Sequence, residues 1–303
     1  MKIFLTGANG YIGSSIGKVL VDQGHIVHGL IRDAAKAGEV RSLGIIPVTG
    51  SLEDIDLLTE YAKKSDAVIH AADSEHLKSV ETILEALEGS GKLFIHTSGS
   101  SVVADDVLGD FENPKIFDET SDFSPLEARE QGVIINQMMK HAGAERNIRT
   151  VVIVPSMIYG DSLGLDVESV QLPVVYRKSI EKGKGIYIGK GINRWSNVHI
   201  GDVVDLYLLA LEHAPAGSYF YVENGEESFK DLAGWISKAL GFGGETESWS
   251  AEEALAEIGG LARYALGSNS RVKAINAREI LGWNPTRESV SEWILTNKYA
   301  INQ

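Results

Sequence analysis

The sequence predicts an α/β protein: a doubly wound parallel sheet with helices on both faces, joined to a smaller, mostly helical C-terminal lobe. Three observations predict it. Short apolar runs alternate with helix-like stretches through the first half, a glycine-rich turn follows the first run, and the texture changes after Pro155. Strands that are apolar on both faces and separated by helices need a sheet covered on each side. Right-handed crossovers then wind such a chain into the doubly wound form.

The expected strands are Lys2–Thr6, His25–Ile31, Ile45–Thr49, Ala67–Ala71, Leu93–Thr97 and Thr150–Val154. The helices expected between them are Ile12–Gln23, Ala34–Leu43, Asp54–Lys64, Glu75–Glu88 and Glu127–Glu145. Beyond Pro155, glycine-rich loops surround a short β-like run, Ile186–Ile188, and a helix Val203–His213 leads to a strand Ser218–Val222. The remainder reads as helices at Phe229–Leu240, Ala251–Leu266, Val272–Leu281 and Ser289–Tyr299. These patterns divide the chain into a sheet domain at 1–156 plus about 199–225, and a second lobe at about 157–198 and 226–303.

Bulk properties remove several function classes. Apolar residues make up 44% of the 303, enough for a large core. The net charge is −14 with no run of Lys or Arg, so nucleic acid is not an expected partner. The same acidity opposes an anionic membrane surface. No cysteine is present, which removes disulfides, thiolate nucleophiles and cysteine metal sites. The eight histidines show no metal-ligand spacing, so no metal is expected. MKIFLTGANG passes straight into a strand and turn without a leader pattern, and no apolar run approaches a membrane span. The expectation is a soluble, cytoplasmic protein with a small-molecule substrate.

The strongest local signal is Thr6-Gly7-Ala8-Asn9-Gly10-Tyr11-Ile12-Gly13, set between strand and helix. Gly7 permits the tight turn, Gly10 lets the backbone approach a pyrophosphate, and Gly13 lets the helix pack on the sheet. The helix N-terminus then offers free N–H groups to phosphate. This is the Rossmann dinucleotide fingerprint in its proper context. An NAD site places an acid at the end of the second strand. Here that position is Ile31, followed by Arg32 and Asp33. A guanidinium at Arg32 can fork onto a 2′-phosphate, which favours NADP over NAD. Asp33 either reaches a ribose or caps the next helix.

TGANGYIG resembles the fingerprint of the extended short-chain dehydrogenase/reductases, the epimerase/dehydratase-like group. Val68-Ile69-His70-Ala71-Ala72, Phe94-Ile95-His96-Thr97-Ser98, Pro155-Ser156-Met157-Ile158-Tyr159-Gly160 and Val198-His199-Ile200-Gly201-Asp202-Val203 agree with it in order and spacing, over about residues 1–222. The resemblance implies that Ala71 and Ala72 line the adenosine side and that Leu52 lies near the adenine, with Ser51 where an acid is usual. It also implies that Thr97 and Pro155 approach the nicotinamide, and it is compatible with a homodimer.

That family uses a Ser or Thr with Tyr-x-x-x-Lys, because hydride arriving at a carbonyl creates an alkoxide that needs a proton or strong hydrogen bond. This chain lacks the set. No tyrosine occurs between Tyr61 and Tyr159, the lysine position holds Gly132 or Val133, and the serine position falls on Gly99 beside Ser100 and Ser101. Three groups are candidates to replace it: Arg129 at the tyrosine position, Tyr159 entering from the other side, and Ser100 as a relay.

Arg194-Trp195-Ser196-Asn197 forms a polar–aromatic cluster before Asp202 and is the expected substrate side, together with Gln171. The arginine that grips a diphosphate in the family's sugar-nucleotide epimerases would fall on Trp195, one residue after Arg194. Asn269-Ser270-Arg271 fits either an anion nest or a cap before a helix at Val272. The protein expected from these residues is an atypical NADPH-dependent reductase of a small carbonyl compound. A non-catalytic NADP sensor or scaffold and a nucleotide-sugar epimerase or dehydratase are the alternatives.

Overall fold

The structure, a computed structural model, describes residues 1–296. Its first half alternates strand and helix: β1 Lys2–Thr6, α1 Tyr11–Asp22, β2 Ile26–Ile31, α2 Ala37–Ser42, β3 Ile46–Thr49, α3 Ile55–Lys64, β4 Ala67–His70, α4 Leu77–Leu87, β5 Leu93–Thr97, α5 Glu130–Glu145 and β6 Arg149–Pro155. There follow β7 Met157–Tyr159, α6 Gln171–Lys182, β8 Gly185–Ile188, β9 Arg194–His199, α7 Ile200–His213 and β10 Ser218–Val222. The last part holds β11 Glu226–Ser228, α8 Phe229–Ala239, β12 Thr246–Trp249, α9 Ala251–Ile258, a π-turn at Ala262–Leu266, α10 Asn276–Leu281 and α11 Val290–Thr296.

The main sheet runs β10-β6-β5-β4-β1-β2-β3, and every pair in it is parallel. It is the doubly wound Rossmann sheet that the alternation predicts. The order reverses between β1 and β4, and ligands of such sheets bind at the carboxyl ends of the strands beside that point. Strands β4 and β5 are buried along their whole length, as expected where helices cover both faces. Near their carboxyl ends they carry His70 and His96, whose rings lie 5.4 Å apart. Burial, with a smaller push from a neighbouring imidazole, lowers their pKa values to about 4 and about 3, so both are neutral at pH 7.

A second core gathers Met157, Tyr159, Leu172, Tyr176, Trp195, Phe229, Trp249 and Trp293. It lies between α6, α8, α11 and the small sheets β11-β9-β7 and β12-β8. No helix among the described residues is long and apolar enough to cross a membrane.

Several C-terminal expectations need correction. Gln171–Lys182 is a helix where no element was expected; its Pro173 sits in the first turn, where a missing N–H costs nothing. Ala251–Leu266 is not one helix: it stops at Ile258, Gly259 takes φ +53°, and a π-turn follows. Val272–Ile275 is not helical, because Val272 pairs with Phe117 as an isolated bridge and the helix starts at Asn276. Of the helix expected at Ser289–Tyr299, Val290–Thr296 is helical, and 297–299 lie outside the described residues.

Candidate active site

The glycine turn sits where β1 meets α1. Gly7 has φ +71°, and a Cβ there would lie 2.5 Å from the Ala71 carbonyl oxygen. A Cβ on Gly13 would lie 2.1 Å from the Gly7 oxygen, so the helix start and the turn are pressed together by residues without side chains. This backbone is a cradle for phosphate, and the residues around it fit a dinucleotide. A cavity opens on each side of the loop. On one side, about 460 Å³ is lined by Gly7, Asn9, Gly10, Arg32, Leu52, Ala71 and Ala72. On the other, about 360 Å³ is lined by Tyr11, Ile12, Ser100, Arg129, Pro155, Gln171, Trp195 and Tyr264. A nucleotide can lie in the first and a nicotinamide with its reaction partner in the second, with the pyrophosphate on the turn between them.

In the first cavity, Arg32 is exposed and makes no ion pair among the described residues. Asp33 accepts a 2.9 Å hydrogen bond from the Ala35 N–H and so caps the turn that follows. His76 and Glu53 meet across the rim at 2.8 Å.

At the far end, Arg129 ends a 3₁₀ turn and is the residue before α5. Its Nη1 donates to Glu75 Oε1 at 3.0 Å, and its guanidinium lies over the Tyr264 ring, 4.8 Å from the centroid. Its Nε is buried without a partner among the described residues. Gln171 presents the same feature: it is buried, it lines the cavity, and its Nε2 has no partner among the described residues. Ser100 is buried, and its Oγ accepts from the Ser270 hydroxyl at 2.8 Å. Asn136 donates to Ser98 Oγ at 3.0 Å and fixes the loop after β5.

Four sequence-based assignments are corrected. Tyr159 does not enter the cleft: it is fully buried in the second core and donates to the Glu288 carbonyl at 2.6 Å. Burial, then the nearby carboxylates of Asp202, Glu288 and Glu292, push its pKa above the ordinary tyrosine value. Thr97 turns its hydroxyl to Tyr207, 2.6 Å away, so the serines after it face the cavity instead. Arg194 stays outside the cavity because Glu226 holds it at 2.8 Å and Arg271 binds the same carboxylate. Burial raises the pKa of Glu226, but these two arginines outweigh it and hold the carboxyl below its ordinary value. Asn197 is buried beside Gly225 and does not line the cavity.

Asn269-Ser270-Arg271 is neither nest nor cap. It clasps the Ser100 loop and β9: Asn269 Oδ1 accepts from the Arg194 N–H, and Ser270 donates to Ser100. Sequence reasoning misses Tyr264 and the Gly260–Leu261 wall. The Gly259-Gly260 pair is the one signal that the chain breaks there.

Fold and cleft define a dinucleotide-binding protein, and similarity narrows the class. The NAD-dependent epimerase/dehydratase family model matches residues 3–222, and the chain belongs to that family. An oxidase from an Acremonium species is 31% identical over 329 residues, covering 94% of this chain and 92% of that protein. A 4-hydroxy-2-methyl-3-oxo-4-farnesyl-3,4-dihydroquinoline-1-oxide ketoreductase from Stigmatella aurantiaca is 26% identical over 241 residues, 74% of this chain and 69% of that one. Among solved structures, a dTDP-glucose 4,6-dehydratase from Bacillus anthracis, determined with NAD, superposes with a TM-score of 0.77 at 16% identity. It covers 97% of this chain and 94% of that one.

Proposed function

We propose that this protein is an NADPH-dependent reductase of a small, largely apolar carbonyl compound. The observation that carries the reading is the far cavity, whose walls are mostly apolar and whose polar lining includes Arg129, Gln171 and Tyr264. Apolar walls with a few polar points suit an uncharged organic substrate.

When bound, the dinucleotide supplies hydride chemistry at its nicotinamide. Gly7, Gly10 and Gly13 would hold its pyrophosphate, and Arg32 its 2′-phosphate. Leu52, Ala71 and Ala72 would flank the adenosine, with Asn9 beside them; Tyr11, Ile12 and Pro155 would close on the other half. Arg129 can stabilise developing negative charge but does not readily release a proton. Trp195 gives the substrate an apolar wall, its Nε1 being tied to the Ser268 carbonyl at 2.9 Å. A nucleotide-sugar substrate is disfavoured, since Arg129 is the only cationic residue lining this cavity among the described residues, and Glu75 already pairs with it. The site is built within one chain, although a homodimer is compatible with it.

The test is a panel of aldehydes and ketones incubated with each reduced cofactor, read at the nicotinamide absorbance. Carbonyl-dependent oxidation of NADPH, faster than that of NADH, is the expected result. A panel with no turnover, while NADPH still binds, contradicts the reductase reading and favours the sensor.

A further inference from the structure

A carbonyl reductase needs a proton donor, and Arg129 does not readily release one. Resting on that reading, we infer that Tyr264, carried in from the C-terminal lobe, is the catalytic acid of this site, and that Arg129 positions its ring.

Tyr264 lines the same cavity as Arg129 and Gln171. Other tyrosines near the cleft have committed hydroxyls. Tyr11 donates to the Gly160 carbonyl at 2.7 Å, Tyr159 to Glu288, and Tyr207 is bound to Thr97. The Tyr264 hydroxyl makes no hydrogen bond among the described residues and is not among the buried polar atoms, so it is free to meet a ligand.

The local backbone delivers it there. Gly267 N–H donates to the Ala262 carbonyl at 2.8 Å, closing a π-turn in place of an α-turn. The wider turn changes the direction in which Tyr264 projects, and such turns recur at functional sites. The far side of the turn is anchored, because Asn193 Nδ2 donates to the Leu266 and Ser268 carbonyls at 3.0 and 2.7 Å. Arg129 then lies over the ring, and a cation in that position attracts the aromatic face. Glu75 fixes the guanidinium from behind. Arginine at the family's tyrosine position is thereby accounted for, since it holds a tyrosine that comes from elsewhere.

The step balances. Hydride from a reduced nicotinamide forms a C–H bond at the carbonyl carbon, and the C=O π pair moves to oxygen. The Tyr264 O–H breaks and its proton joins that oxygen. Water returns a proton to the phenolate through the open cavity. One carbonyl becomes an alcohol, one dihydronicotinamide is oxidised, and one proton is taken from solvent.

The test compares the wild type with Tyr264→Phe, using 4-nitrobenzaldehyde as the probe. We expect kcat to fall by about 10²- to 10⁴-fold, the range for loss of a general acid, with NADPH affinity by fluorescence unchanged. A readout independent of turnover is the infrared C=O stretch of ¹³C-labelled 4-nitrobenzaldehyde bound with NADP⁺. It should lie at lower wavenumber in the wild type than in Tyr264→Phe, because the phenol polarises the bond. Arg129→Leu should raise the stretch part of the way. A wild type that reduces no carbonyl overturns the reductase reading and this assignment with it. A working wild type whose Tyr264→Phe variant loses less than about tenfold in kcat, or whose bound carbonyl shows the same stretch, overturns the assignment of Tyr264 alone.

Discussion

In the cavity beside Arg32, every lining group comes from the first quarter of the chain, between Gly7 and His76, and Arg32 stands exposed among them. At the far end, the wall is assembled from Tyr11, the Ser98–Ser101 loop, Arg129, Gln171, Trp195 and Tyr264, and the arginine there is held by Glu75. The first end is a set of strand-end loops, so its order in space follows its order in sequence. The second is made where a separate lobe closes on the sheet. The two ends meet at the turn itself, where Tyr11 donates to the Gly160 carbonyl at 2.7 Å.

Two substitutions sharpen this comparison. The larger effect is expected at the adenosine end. Arg32→Ala should weaken NADPH by roughly 10- to 100-fold, the loss of hydrogen bonds to a charged group, and change NADH little. Fluorescence titration with both cofactors measures the ratio, and equal losses would contradict the 2′-phosphate role. The smaller effect separates a structural tyrosine from a chemical one. Tyr159→Phe should lower stability by about 1 kcal/mol, since it removes one buried hydrogen bond, and leave NADPH turnover as it is. Urea unfolding and steady-state kinetics together check it; a large loss of kcat at unchanged stability would return Tyr159 to the site.

The same division explains what could be read from the sequence. Strands β1 to β6 carry short, mostly apolar runs, and the glycine turn depends on the stretch from Gly7 to Gly13 alone, so local pattern sufficed. Arg32, Leu52, Ala71 and Ala72 line the first cavity for the same reason. The far end depends on tertiary partners that no local pattern displays. Arg194 reads as a substrate clamp until Glu226 and Arg271 are seen beside it. Strand β9 carries Ser196 and Asn197 at buried positions and does not alternate; Ser196 donates to the Val272 carbonyl, 76 residues away. Tyr264 belongs to a stretch that reads as one long helix, and only its π-turn and the facing Arg129 give it meaning.

The most direct test of the central claim is a crystal structure with NADPH bound, reading which groups face the space over nicotinamide C4. The account predicts the Tyr264 hydroxyl and the Gln171 amide converging there, with Arg129 over the tyrosine ring and the 2′-phosphate on Arg32. If that space is filled by apolar side chains, or if Tyr264 turns away to solvent and no other proton donor replaces it, the account is contradicted.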